Sequence, residues 1–195
     1  MRPGPAGIVA AAAGVAYLVL ATSLDWWQFN QRPEQLAIWT ARLFGAATTA
    51  TATVFVLKFL MRTALSTRIL MVLWTAYLGA LLAVAWPGFS MTDTYAAYKY
   101  SLSFPFNDWL GFFTPLQYFM ALQLVPKFWF LVILQALFGV LALGLWDHVL
   151  RSHGARPWLR AMPHVLLAVS VGFLHNILFL NRDTLFCVMH LPSRR

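Results

Sequence analysis

FWFLVILQALFGVLALGLW, residues 128–146, is nineteen consecutive residues without a charge. A helix of that length rises about 28 Å at ~1.5 Å per residue, close to the ~30 Å hydrocarbon thickness of a bilayer. Comparable apolar blocks lie on both sides of it, so the sequence predicts an all-α, polytopic transmembrane bundle forming one domain. Its five spans fall at about 7–22, 42–60, 69–87, 128–146 and 162–180.

Composition agrees. Hydrophobic residues make up 61% of the 195 residues and charged residues 10%, against about 25% charged in a soluble domain. The formal charge of +8 would raise nucleic-acid binding in a soluble chain. Here the basic residues sit singly or in small groups at the ends of apolar blocks, where they anchor helices and set orientation, so nucleic acid is excluded and membrane lipid is the expected surroundings. The single cysteine, Cys187, excludes an intrachain disulfide framework.

The first block follows Arg2 and leads into Ser23-Leu24-Asp25-Trp26-Trp27 without a small-x-small cleavage site, so it reads as an uncleaved first helix. The second, between Arg42 and Lys58, reaches span length if both cations extend outward to the interface. Its hydroxyls, Thr48, Thr49, Thr51 and Thr53, are expected to bond to carbonyls of their own helix or a neighbour, in keeping with close small-residue packing. Residues 88–126 interrupt the pattern. They are crowded with aromatics and divided by Pro105 and Pro115, which suits interfacial helices over about 90–126.

Lys58, Arg62 and Arg68 occupy one short turn and Arg151, Arg156 and Arg160 another, and both fall on one side of a five-span topology. The positive-inside rule then puts the N-terminus of a multi-pass cell-membrane protein in the cytoplasm and the aromatic segment outside. In the fifth block, His164 and His175 lie three turns apart, too far to share a metal ion. His175 with Asn176 marks the bundle interior, since such side chains are costly in lipid. Cys187 and Met189 read as spectators.

Chemistry gathers at Met91-Thr92-Asp93-Thr94-Tyr95 beyond the third block, at Phe106-Asn107-Asp108-Trp109, and at Asn181-Arg182-Asp183 after the fifth. An acid just outside a span, an aromatic amphipathic segment, an Asn-Asp-Trp turn and a later Arg-Asp together resemble the N-terminal part of GT-C-fold membrane glycosyltransferases, over about residues 68–190. The resemblance implies a multispan enzyme that moves a sugar from a polyprenyl-phosphate carrier to an extracytoplasmic acceptor. It makes Asp93 the catalytic position, as base toward the acceptor or as organiser of a metal and the donor phosphate, and Asp183 the candidate for the second acidic position. Lys99, Arg182, Tyr95 and Asn107 become substrate-binding candidates, and a divalent metal ion is left open as cofactor. Read from the residues alone, Asp93 also fits a capping box begun by Ser90, Asp108 a first-turn acid behind an Asn107 cap, and Arg182 and Asp183 a local pair.

GT-C enzymes are longer, so the sequence reads as a truncated or inactive copy or as one part of a split assembly. The alternative class is a non-enzymatic membrane subunit packed against a partner membrane protein. A transporter is less favoured, because neither a broken span nor a paired repeat is legible.

Overall fold

A computed structural model of the chain describes residues 4–23, 35–86, 89–90, 98–99, 101, 113–125 and 127–180. Seven helices and one short parallel strand pair form these residues: α1 Pro5–Ser23, α2 Gln35–Arg62, α3 Leu65–Val84, β1 Phe89–Ser90, α4 Phe113–Leu122, α5 Phe128–Ser152, α6 Pro157–Val169, α7 Val171–Leu178 and β2 Phe179–Leu180. Four helices, α1, α2, α3 and α5, are long and apolar enough to cross a membrane, and α6 with α7 makes a fifth candidate bent by 70°. The chain is an all-helical, multi-pass membrane protein. Its helices turn large apolar side chains outward, Val72 at 67% and Val165 at 63% exposure among them, as lipid permits and water does not.

The chain divides into two compact units. The first comprises Met1–Arg62 with Ala96–Lys127, the second Thr63–Tyr95 with Phe128–Arg195.

In the first unit, α1 and α2 pack through small residues. A Cβ on Gly14 would stand 3.2 Å from the Ala46 carbonyl oxygen, and one on Gly45 would meet the Tyr17 ring and hydroxyl. Close approach of two helix backbones is a principal source of association in lipid, where burial of apolar surface gives no advantage. The Tyr17 hydroxyl donates 2.8 Å to the Met120 carbonyl of α4, and Tyr17, Ala21 and Ala46 form a core with Leu18 and Leu124. Thr48, Thr49, Thr51 and Thr53 each donate 2.8 Å to the carbonyl four residues back in α2. Their hydroxyls are thus satisfied within the helix and specify no neighbour. Arg42 departs from expectation: it is 1% exposed and its Nε donates 3.3 Å to Gln123 Oε1, with its guanidinium 5.2 Å from the Trp39 ring centre. It does not snorkel, because an amide and an aromatic face already receive it. Lys58 is exposed, as expected.

In the second unit, the fifth apolar block is two helices. Pro163 removes one backbone donor inside α6, and Ser170 ends the helix with extended backbone at φ −76° and ψ 109°. Ser170 also starts α7, since its Oγ accepts from the Phe173 N–H at 3.3 Å and its carbonyl from the Leu174 N–H at 3.0 Å. A serine that caps on both sides lets a span break without stranding its backbone groups. The expectation that no span is broken is therefore corrected, and with it the first of the two points raised against a transporter; the second, that no paired repeat is legible, is untouched.

Candidate functional site

Two features of the second unit concentrate polar chemistry, one at each end of α3 and α5. At the end where α3 begins and α5 finishes, Asp147 is 2% exposed. Arg160 of α6 grips it in a fork, Nε donating 2.9 Å to Oδ1 and Nη2 donating 2.9 Å to Oδ2. The Thr67 hydroxyl of α3 donates 2.5 Å to Oδ2. One carboxylate thus joins three helices, and the bidentate arginine geometry is the strong form of such a pair. Arg151 reaches from α5 to the Ser66 hydroxyl at 2.6 Å beside it.

Further along α6, the Trp74 indole donates 3.2 Å to His164 Nδ1, and the Tyr77 hydroxyl donates 2.7 Å to the Ala168 carbonyl. His164 is 6% exposed, while its Nε2 is buried without a hydrogen-bond partner. His175 is only half-buried. The interior histidine is His164 and not His175, because the bend at Ser170 ends the common face that an unbroken helix would give them.

At the opposite end, the Trp86 and Trp129 rings lie 5.5 Å apart, tilted by 38°. Just beyond α3, β1 pairs in parallel with β2, Phe89 opposite Phe179 and Ser90 opposite Leu180. The sequence continues Phe89-Ser90-Met91-Thr92-Asp93-Thr94 from one strand and Phe179-Leu180-Asn181-Arg182-Asp183-Thr184 from the other. Both segments carry Asp-Thr at the same offset from the paired phenylalanines.

Asp93, Tyr95, Asn107, Arg182 and Asp183 lie outside the described residues. Lys99 is described, exposed, and belongs to the first unit. The expected interfacial helices over 90–126 are described in part, as α4 and as helical backbone at 98–99 and 101. Among the described residues no three His, Cys, Asp or Glu side chains gather as a metal ion would require.

Sequence reasoning missed the Asp147–Arg160 pair. The available signal was an acid inside the last turns of an apolar helix, where a charge needs a partner; counting Arg160 as a loop cation hid that partner. Between α3 and α5 runs an open apolar groove of about 310 Å³, lined among others by Thr75, Gly79, Trp86 and Ala136. No protein-family model matches the chain, and no curated protein or solved structure matches it.

Proposed function

We propose that the chain is the membrane-embedded part of a GT-C-like transferase that moves a sugar from a polyprenyl-phosphate carrier to an extracytoplasmic acceptor. The observation that carries this reading is the in-register parallel pairing of Phe89–Ser90 with Phe179–Leu180. Asp93 follows Ser90 by three residues and Asp183 follows Leu180 by three, and three residues reach at most ~11 Å from backbones that pair about 4.8 Å apart. Two remote parts of the sequence thereby launch their Asp-Thr segments from one point. The basic residues of the short turns at 62–68 and 151–160 support a cytoplasmic location for those turns and an extracytoplasmic one for the acids.

In this reading the Asp93 carboxylate accepts the proton of an acceptor hydroxyl as that oxygen bonds to the anomeric carbon. The bond between that carbon and the carrier phosphate breaks, and the phosphate departs with its electron pair, stabilised by Arg182. Asp183 orients Arg182 and the acceptor.

The test is Asp93→Asn in membranes that hold the intact assembly and a polyprenyl-phosphate sugar. Transfer should be lost, by roughly 100-fold or more for removal of a general base, with insertion unchanged. Full retained transfer contradicts the reading. The open groove between α3 and α5 favours a second reading, a non-enzymatic subunit packed against a partner membrane protein; that role predicts no effect of Asp93→Asn on the assembly.

A further inference from the structure

We infer that Gln135, in the third turn of α5, is a positioning residue that fixes the register of the β1–β2 pair by clamping the carbonyl end of α7. For its catalytic consequence this rests on the transferase reading above; for its structural content it does not.

Helix α7 is only eight residues long and ends at Leu178, one residue before β2. The last four carbonyls of a helix have no N–H partner within it, and in a lipid environment water is not there to supply one. A primary amide carries two N–H donors on one nitrogen. Gln135 uses that nitrogen on two of those carbonyls, at 2.9 Å from the Asn176 oxygen and 3.1 Å from the Ile177 oxygen. The side chain is 2% exposed, so the contact belongs to the interior of the unit.

One turn further along α5, Gly139 makes a second fixed point. A Cβ there would stand 2.6 Å from Ile177 Cδ1, and Ile177 is itself 2% exposed. Residues four apart share a helix face, so Gln135 and Gly139 act together on the last turn of α7, one by hydrogen bonds and the other by a notch. A slip of α7 along α5 would break both. Because β2 begins at the next residue after α7, the same slip would move Leu180 from its place opposite Ser90. The bend at Ser170 makes this clamp necessary: a continuous span would have fixed its own far end, whereas a short segment hinged at 70° needs an outside reference. Leucine at 135 has the size without the donors, and asparagine has the donors on a stem one methylene shorter.

The experiment uses the full chain in native membranes, with Cys187→Ser as background and Ser90→Cys with Leu180→Cys as a disulfide reporter of register. Oxidation should join residues 90 and 180 when Gln135 is present, since disulfides form only when the two Cα atoms lie within about 7 Å. Gln135→Leu should lower that yield and raise the yield of the off-register pair Phe89→Cys with Leu180→Cys. Gly139→Ala, which keeps the amide and displaces Ile177, should act in the same direction, and Gln135→Asn should fall between Leu and wild type. Wild-type yield of the 90–180 disulfide in inserted Gln135→Leu and Gly139→Ala would overturn the proposal. Turnover gives the separate readout: with the transferase reading correct, Gln135→Leu lowers kcat roughly 10- to 100-fold through misplacement of the reacting groups while the donor KM holds. An assembly in which the wild type transfers nothing, but the disulfide still depends on Gln135, refutes the transferase reading and leaves the clamp standing.

Discussion

The two units of this protein combine close packing and polar contacts in different proportions. In the first, α1 and α2 meet across Gly14, Gly45 and Ala46, the threonines of α2 spend their hydroxyls on their own backbone, and polar ties run to α4 and the turn after it, Tyr17 on the Met120 carbonyl and Arg42 on Gln123. In the second, side chains reach between helices at every level: Thr67 and Arg160 on Asp147, Trp74 on His164, Tyr77 on the Ala168 carbonyl, Gln135 on α7. The difference follows from the helices themselves. A straight span satisfies its own backbone and can meet its neighbour by close contact, whereas a span broken at Ser170 exposes backbone ends and must be held by polar groups from elsewhere. Asp93 and Asp183 both fall within the sequence range of the second unit.

The comparison breaks most readily at Asp147. Asp147→Leu leaves the Arg160 guanidinium buried without its carboxylate, and should cost about 3–5 kcal/mol, the range for stripping one partner from a buried pair. The double variant Asp147→Leu with Arg160→Met should recover most of it, because two apolar side chains of similar size remove the uncompensated charge. Unfolding in detergent followed by tryptophan fluorescence reads both. A single variant as stable as the wild type would show that the clasp contributes nothing to the second unit.

A smaller effect sharpens the contrast from the other side. Gly45→Val pushes a branched side chain against the Tyr17 ring and should cost about 1–3 kcal/mol by overpacking. It should also loosen α1 from α2 without altering the Asp147 clasp. Accessibility of single cysteines introduced into each unit, in a Cys187→Ser background, separates the two: labelling should rise at Ala21→Cys and stay constant at Leu78→Cys, a buried position outside the clasp. A rise at both positions would mean that the units do not differ in the way their packing suggests.

What was legible in the sequence divides along the same line. Length and apolarity sufficed for the long helices, because a run such as residues 128–146 has one stable solution in lipid. The Thr ladder was legible too, since a hydroxyl in a helix finds the carbonyl four residues back. The break at Ser170 was not: Val169, Ser170 and Val171 keep the hydropathy of a span, and the caps of Ser170 act together with tertiary contacts from Trp74, Tyr77 and Gln135 at the bend. Arg42 misled for a related reason, because a cation at the edge of an apolar block snorkels only when nothing nearby receives it, and Gln123 lies 81 residues away. Of the expected site, the shared Asp-Thr offset became visible only once β1 and β2 were seen to pair; no local pattern relates residues so far apart. The resemblance to GT-C glycosyltransferases suggested Asp93 and Asp183, and in the proposed reading the strand register is the reason to test whether they act together.

That pairing is open to a direct measurement. Nitroxide labels at Asp93→Cys and Asp183→Cys, in a Cys187→Ser background and native lipid, report the separation of the two positions through dipolar broadening of the EPR spectrum. The account predicts strong broadening, corresponding to a distance under about 15 Å, since groups serving one reacting centre or one bridging ion lie within a few ångströms of it. Unbroadened spectra from fully labelled protein, while Ser90→Cys and Leu180→Cys still form their disulfide, would contradict it: the strands would pair, and the acids would not share a site.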